Sequence, residues 1–252
     1  MALSENTKII YIWGNPLDFS LSPFFQEHCA LLAGNRILYK IFRGEKEEFV
    51  RLLKSEKCLG ANVTIPYKTE ASGICDGLTE TAESAGSVNT LFKSGGRIFG
   101  DNTDGIGLVK WLRMKGVALE KCEILGNGGS ARGIAAALSA ENCRITVFGR
   151  TEKGWEKKFG QFRNLSEWKN ESLTISTLPF EVEGTNIVTI GYSSGKIPLD
   201  AMLMLAFQGW FGAKRWFGKT LSAEKFAEIT ALHANAQLNQ GLILILANGN
   251  EI

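Results

Sequence analysis

Histidine is almost missing from this chain: His28 and His233 are the only two in 252 residues. They lie far apart and neither has a neighbour at metal-ligand spacing, so no imidazole-held metal is expected. The five cysteines, Cys29, Cys58, Cys75, Cys122 and Cys143, are odd in number and form no C-x-x-C pair. Most sit in apolar runs, where a thiol serves as a small hydrophobe, and this argues for reduced side chains rather than a disulfide framework. Long hydrophobic runs are also lacking: the most apolar late segment, residues 242–247, is far shorter than the ~20 residues that cross a bilayer. Charge of one sign is not concentrated either. With a formal net charge of +2 and cations interleaved with acids, no basic stripe follows a phosphate backbone, and nucleic acid is not expected as a partner. Residues 1–6 show neither the charged start nor the apolar run of a secretory leader, so a cytoplasmic location is expected.

What is present is a globular composition, 44% hydrophobic and 21% charged, long enough for one large domain or, better, two small ones. Short β-branched or aromatic runs alternate with stretches of helical period, the pattern of an α/β protein with mostly parallel sheets. Lys8–Trp13 reads as a strand ending at the loop signal Gly14-Asn15-Pro16. A helix is expected from Phe24 to Leu32, stopped by Gly34, and then a strand at Ile37–Phe42. Phe49, Leu52 and Leu53 mark a short helix, Ala61–Ile65 a third strand, and Val88–Phe92 with Ile98 a hairpin. Ile106, Leu108, Val109 and Leu112 suit a helix that begins near Asp104. The run Glu45-Lys46-Glu47-Glu48 is a solvated helix face. Phe207, Trp210, Phe211, Trp216 and Phe217, at roughly helical spacing, fit packing between the two halves.

Two segments carry candidate chemistry. Gly60-Ala61-Asn62-Val63-Thr64-Ile65-Pro66-Tyr67-Lys68 runs from a strand end into a turn that sets a lysine beside two hydrogen-bonding side chains. A desolvated ammonium is costly unless it has a partner. Phe99-Gly100-Asp101-Asn102-Thr103-Asp104-Gly105 supplies carboxylates in a similar strand-to-helix setting. From residue types alone two readings stand level: an acid/base pair, or a surface turn followed by a solvated lysine.

The second half opens with Cys122-Glu123-Ile124-Leu125-Gly126-Asn127-Gly128-Gly129-Ser130-Ala131-Arg132-Gly133, a strand, a glycine turn and a helix running to Leu138. Glycines there let the backbone approach a pyrophosphate, and the free N–H groups that start the helix hold its charge. A second strand, Arg144–Phe148, follows at the distance a βαβ unit needs. Tight turns also demand glycine, but the ordered context favours dinucleotide binding by Gly126, Asn127, Gly128, Gly129, Ser130 and Ala131. An acid after the second strand would favour a ribose 2′-hydroxyl, whereas Gly149-Arg150-Thr151-Glu152-Lys153 puts a guanidinium and a hydroxyl first. Arg150, with Thr151 and Lys153, suits the 2′-phosphate of NADP; Glu152 keeps an ordinary polar loop open.

Together these segments resemble the shikimate dehydrogenase family over about residues 8–218. Gly14-Asn15-Pro16 through Ser20-Leu21-Ser22-Pro23 is similar to the family's loop whose two serines bind the substrate carboxylate. The segment with Asn62, Thr64 and Lys68 resembles its most diagnostic motif, which carries the catalytic lysine. Ala85-Gly86-Ser87-Val88-Asn89-Thr90 and Asn102-Thr103-Asp104-Gly105 resemble the motifs of a binding asparagine and the catalytic aspartate. Met202-Leu203-Met204-Leu205-Ala206-Phe207-Gln208-Gly209 is similar to the closing helix, with Gln208 contacting substrate, and Tyr192 takes the place of a substrate-facing tyrosine. The resemblance implies a two-domain fold: a substrate domain with a mixed, mostly parallel sheet over residues 1–103, and a Rossmann-type NADP domain over 104–200. C-terminal helices over 201–252 would return to the substrate domain. It also implies Lys68 and Asp104 as acid and base, NADP as cofactor, shikimate as substrate, and a monomer or homodimer. The site suits such a ligand: Ser20 and Ser22 donate to a carboxylate, while Asn62, Thr64, Asn89 and Gln208 match ring hydroxyls.

The departures point elsewhere. Gln26 and Glu27 stand where the family has histidine and asparagine, which should loosen a helix contact. Gly149 replaces an asparagine and leaves Arg150 more responsible for cofactor choice. Residues 151–201 are short: Ile175-Ser176-Thr177-Leu178-Pro179 matches the family pattern only in part, and Thr189 and Ser194 stand where an aspartate and a proline are usual. Phe226, Ile229, Leu232 and Ala236 suggest one more packed helix. These leave two alternatives: a dehydrogenase of the same family acting on quinate or an aminoshikimate, and a non-catalytic NADP- or ligand-binding descendant.

Overall fold

The computed structural model describes residues 7–17, 20, 22–152, 154–191 and 197–234. In the first half β1 (Lys8–Trp13), α1 (Ser22–Leu32), β2 (Ile37–Phe42), α2 (Lys46–Lys54) and β3 (Cys58–Val63) follow one another. Then come β4 (Gly77–Leu78), α3 (Glu80–Ala85), β5 (Thr90–Ser94) and β6 (Arg97–Asp101). The strands form a six-stranded sheet in the order β2-β1-β3-β5-β6-β4. It is parallel across β2, β1 and β3 and antiparallel across β3, β5 and β6.

Helix α4 (Asp104–Met114) leads into the second half, made of β7 (Lys121–Leu125), α5 (Gly129–Ala140), β8 (Arg144–Gly149), α6 (Glu156–Phe159), β9 (Gln161–Asn164), β10 (Leu173–Ser176) and β11 (Ile187–Thr189). This five-stranded sheet is parallel throughout, in the order β11-β10-β7-β8-β9. The chain therefore winds away from β7 in both directions, and the carboxyl end of β7 is the switch point at which open α/β sheets bind ligands. Two helices close the described chain, α7 (Leu199–Phe217) and α8 (Ala223–Ala234). Among the described residues no helix is long and apolar enough to cross a membrane.

The second core packs Ile124, Val147 and Ile175 of the sheet against Ile134 and Leu138 of α5 and Leu108, Trp111 and Leu112 of α4. Each such buried side chain contributes about 1.5–3 kcal/mol relative to exposure. Helix α7 is shared. Leu203, Ala206 and Phe207 lie in the second core, Ala213 packs with Phe25 and Cys29 of α1, and Trp216 packs on Ile10, Ile12 and Tyr39 of the first sheet. Trp216 also donates its indole N–H to the Leu91 carbonyl at 2.9 Å. The aromatic run thus joins the two halves, and Phe226 and Ile229 of α8 are buried as their spacing implied. Leu232 lies in α8, and Ala236 falls outside the described residues.

The third strand differs from its sequence-based limits: it starts at Cys58 and stops at Val63, before Ile65-Pro66. Its start is masked in sequence by Gly60. There the pairing with β1 shifts register, and a side chain would stand 2.0 Å from the Leu91 carbonyl oxygen. The glycine is a close-approach site inside the strand rather than its end.

Candidate functional site

The end of β3 sets the site. Thr64 N–H donates to the Trp13 carbonyl and Asn15 N–H to the Ile65 carbonyl, both at 2.9 Å, so β3 leaves the sheet beside the loop after β1. A turn closed by Tyr67 N–H on the Thr64 carbonyl (3.0 Å), with the Tyr67 ring stacked on Trp13 at 4.2 Å, then delivers Lys68. Its carbonyl accepts from Val88 N–H at 2.7 Å, which fixes the lysine against the bend that carries Asn89 into β5.

Lys68 Nζ donates to Asp104 Oδ2 at 2.5 Å and to Ser130 Oγ at 2.9 Å. The two charged side chains are only 12% and 6% exposed, so the solvated-lysine reading is replaced by a desolvated pair. The other carboxylate oxygen, Asp104 Oδ1, accepts from Asn89 Nδ2 at 2.7 Å. Asn89 Nδ2 also lies 3.3 Å from Gln208 Oε1, while Asn89 Oδ1 accepts from the Thr103 N–H at 2.8 Å. Asn62 Nδ2 donates to the Asn89 carbonyl at 3.2 Å, and its Oδ1 accepts from the Tyr39 hydroxyl at 2.6 Å. Burial pushes the Tyr39 phenol far above its ordinary range, while a bond with the Ser22 side chain acts against that shift. Lys68, Asp104, Asn89, Gln208 and Asn62 are therefore one bonded cluster, with Ser22 joined through Tyr39.

Thr64 is half-buried against Gly14, where a side chain would meet its methyl carbon at 2.2 Å. Ser20 is half-buried in the loop before α1, and among the described residues no bond joins its hydroxyl to the cluster. Tyr192 and Lys153 lie outside the described residues.

The glycine turn closes the opposite side. Gly126 N–H donates to the Phe148 carbonyl at 2.8 Å, and α5 starts at Gly129, so its first N–H groups open at the switch point. A side chain at Gly128 would meet nothing within 4 Å. Arg150 and Thr151 are exposed at the carboxyl end of β8, and Ala131 is buried. The turn, the open helix start and the guanidinium fit a phosphorylated dinucleotide. Gly149 has a steric reason: a side chain there would lie 2.9 Å from Asn127 Cγ, and the Asn127 amide donates to the Thr151 carbonyl. Ser130 is placed differently from its neighbours, its hydroxyl facing Lys68.

A model of the shikimate dehydrogenase substrate binding domain matches residues 12–91. A shikimate dehydrogenase (NADP(+)) of Vibrio atlanticus is 36% identical over 191 residues, 73% of this chain and 67% of that protein. The chain belongs to the shikimate dehydrogenase family. A second member, from Alcanivorax borkumensis, is 36% identical over 162 residues, and the match spans 62% of this chain but 58% of that protein. The shikimate dehydrogenase of Aquifex aeolicus superimposes with a TM-score of 0.78 at 26% identity, covering 91% of this chain and 99% of that one. The Thermus thermophilus enzyme, solved with NADP(H) and shikimate, gives 0.78 at 23% identity and covers 90% and 100%.

At the departures from the family pattern, Gln26 and Glu27 each bond to a neighbouring segment, while the buried Gln26 Oε1 has no partner among the described residues. Gln26 is buried and donates to the Gly209 carbonyl at 3.2 Å, next to Gln208, and Glu27 accepts from the Tyr39 N–H at 2.6 Å. Sequence reasoning passed over Tyr39, Thr103 and Ser87. Ser87 links Asn102 to the Gly129 carbonyl at 2.9 and 3.1 Å. Thr103 and Ser87 lie inside segments already singled out, whereas Tyr39 reads as an ordinary strand residue.

Proposed function

We propose that the chain is an NADP-dependent shikimate dehydrogenase, an oxidoreductase that interconverts shikimate and 3-dehydroshikimate in the route to chorismate and aromatic amino acids. The observation that carries the reading is the desolvated Lys68–Asp104 pair at 2.5 Å, standing between the amides of Asn89 and Gln208 and the glycine turn. The substrate domain is assigned to 1–103, the NADP domain to 104–200 and the returning helices to 201–252. The protein is placed in the cytoplasm as a monomer or homodimer.

In this reading the substrate ring lies over Asn62, Thr64, Asn89 and Gln208, with its carboxylate toward Ser20 and Ser22 and Tyr192 facing it. Each amide both donates and accepts, so an analogue lacking a hydroxyl leaves a buried polar atom unpaired. NADP, held by residues 126–131, Arg150, Thr151 and Lys153, supplies the hydride acceptor. As the carbinol oxygen becomes a carbonyl, its proton leaves to the Lys68–Asp104 pair; in reduction a charged Lys68 polarises the ketone and returns the proton. Asp104 has one oxygen on Lys68 and the other on Asn89, so it holds the lysine while Asn89 holds it.

Purified protein with shikimate and NADP is expected to show rising absorbance of reduced cofactor, and NAD to support it poorly. Lys68→Ala is expected to abolish turnover while the circular dichroism spectrum stays native. No turnover with shikimate, quinate or aminoshikimate would sink the enzyme reading.

A further inference from the structure

We infer that Ser130 is a positioning residue for the acid/base pair, holding the Lys68 ammonium from the cofactor side while Asp104 holds it from the substrate side; this rests on the dehydrogenase reading above. Lys68 Nζ donates to Ser130 Oγ at 2.9 Å. The lysine stem also lies across the start of α5, since a side chain at Gly129 would stand 2.8 Å from Lys68 Cβ. The same turn is tied to the loop of Asp104: Ser87 Oγ donates to the Gly129 carbonyl at 3.1 Å, and Asn102 donates to Ser87 Oγ at 2.9 Å. Asn102 Oδ1 in turn accepts from the Asp104 N–H at 3.2 Å.

The electrostatics require such an acceptor. A helix start carries positive partial charge and disfavours a cation beside it, so the field of α5 does not draw Lys68 to this place. Two acceptors do, Asp104 and the Ser130 hydroxyl. An ammonium has three N–H bonds in fixed tetrahedral directions, and with two of them committed the third has only one direction left. That direction is the one available to the carbinol or ketone oxygen. Without Ser130 the ammonium rotates about its bond to Cε and pivots on Asp104 alone. The serine hydroxyl is thereby spent on the lysine, and a pyrophosphate is left the backbone N–H groups of the turn.

The test compares wild type with Ser130→Ala, an alanine that α5 accommodates readily. It measures kcat and KM against pH in both directions and NADPH affinity by fluorescence. It also measures, by mass spectrometry, how fast acetic anhydride acylates Lys68 in protein without added cofactor. Expected are a fall in kcat of about tenfold, with KM and NADPH affinity changed by less than about twofold. Lys68 acylation rises by about threefold or more, because the ammonium has lost an acceptor and is held by Asp104 alone. Ser130→Thr, which keeps the hydroxyl, restores wild-type behaviour. Acylation decides every mixed outcome: an unchanged rate overturns the proposal, and unchanged acylation with weakened NADPH binding assigns the hydroxyl to the cofactor instead. An inactive wild type defeats the dehydrogenase reading, while the acylation comparison still settles where Ser130 points its hydroxyl.

Discussion

Replacing Gly105 by alanine sets two effects of opposite sign against each other. On helix propensity alone, alanine in place of glycine stabilises a helix interior by ~1 kcal/mol, and by less at Gly105, the second residue of α4. In the packed structure a methyl at Gly105 would stand 2.0 Å from the Gly133 carbonyl oxygen and 2.6 Å from Ala137 Cβ. Neither obstacle is the end of a flexible side chain, so α4 must retreat from α5 by roughly 1 Å, and overpacking of this kind costs ~1–3 kcal/mol. The net expectation is a loss of ~1 kcal/mol. Catalysis suffers more, because Asp104 precedes Gly105 on α4 and Ser130 lies on α5; a displacement of roughly 1 Å at reacting groups lowers kcat by about 100-fold. Gly212→Ala in α7 is the matched control, its nearest neighbours being Trp216 Cη2 at 3.4 Å and Thr90 Cγ2 at 3.7 Å. There propensity should win, with a gain of up to ~1 kcal/mol. Urea unfolding of the three proteins, with kcat for shikimate oxidation, checks both halves. A Gly105→Ala protein as stable as wild type and active within a few-fold would refute the argument.

Two further outcomes follow from other parts of the chain. Arg150→Ala should raise the KM for NADP by about tenfold or more and leave that for NAD almost unchanged, since only the former carries a 2′-phosphate; equal losses with both cofactors would remove the selectivity role. Burial pushes the Cys29 thiol from its usual 9.0 up to about 12. The unfolded chain therefore ionises this thiol first, and stability is whole below pH 9 and declines as pH climbs from 9 toward about 12. Cys29 contributes at most ~1.4 kcal/mol per pH unit to this slope, alongside Cys75, which burial also pushes up to about 12, and Cys29→Ala should reduce it; a slope above pH 9 that is the same in Cys29→Ala and wild type would contradict this.

Much of the fold was legible because the long elements obey their periods: β1, α1, β2, α4, α5 and β8 fall within a residue or two of their expected limits. The short pieces were not. Helix α3 spans Glu80–Ala85, too few residues for a helical period to repeat, and is held by Thr79 accepting from the Ala82 N–H and by Gly86 in a left-handed conformation. Strands β9, β10 and β11 are shorter still, with four, four and three residues, too few for an alternating period to show. At the site, residue types alone left Lys68 undecided, because a turn lysine reads the same whether solvated or paired. Partnership across 36 positions decides it, and sequence spacing cannot display such a contact without a known family pattern. Tyr39 shows the limit from the other side: its role comes from Asn62 on β3, one strand beyond β1, standing within 2.6 Å of its hydroxyl.

Helix α7 belongs to both cores, and this constrains any relative swing of the two halves. A rigid rod gripped at one end by the second core and at the other by the first sheet cannot bend without losing Phe207 or Trp216 from its seat. It acts as an axle. Gln208 sits midway along it, between the two grips, with its Oε1 3.3 Å from Asn89 Nδ2. The amide proposed to contact substrate is thus mounted on the stretch of helix that both cores hold in place.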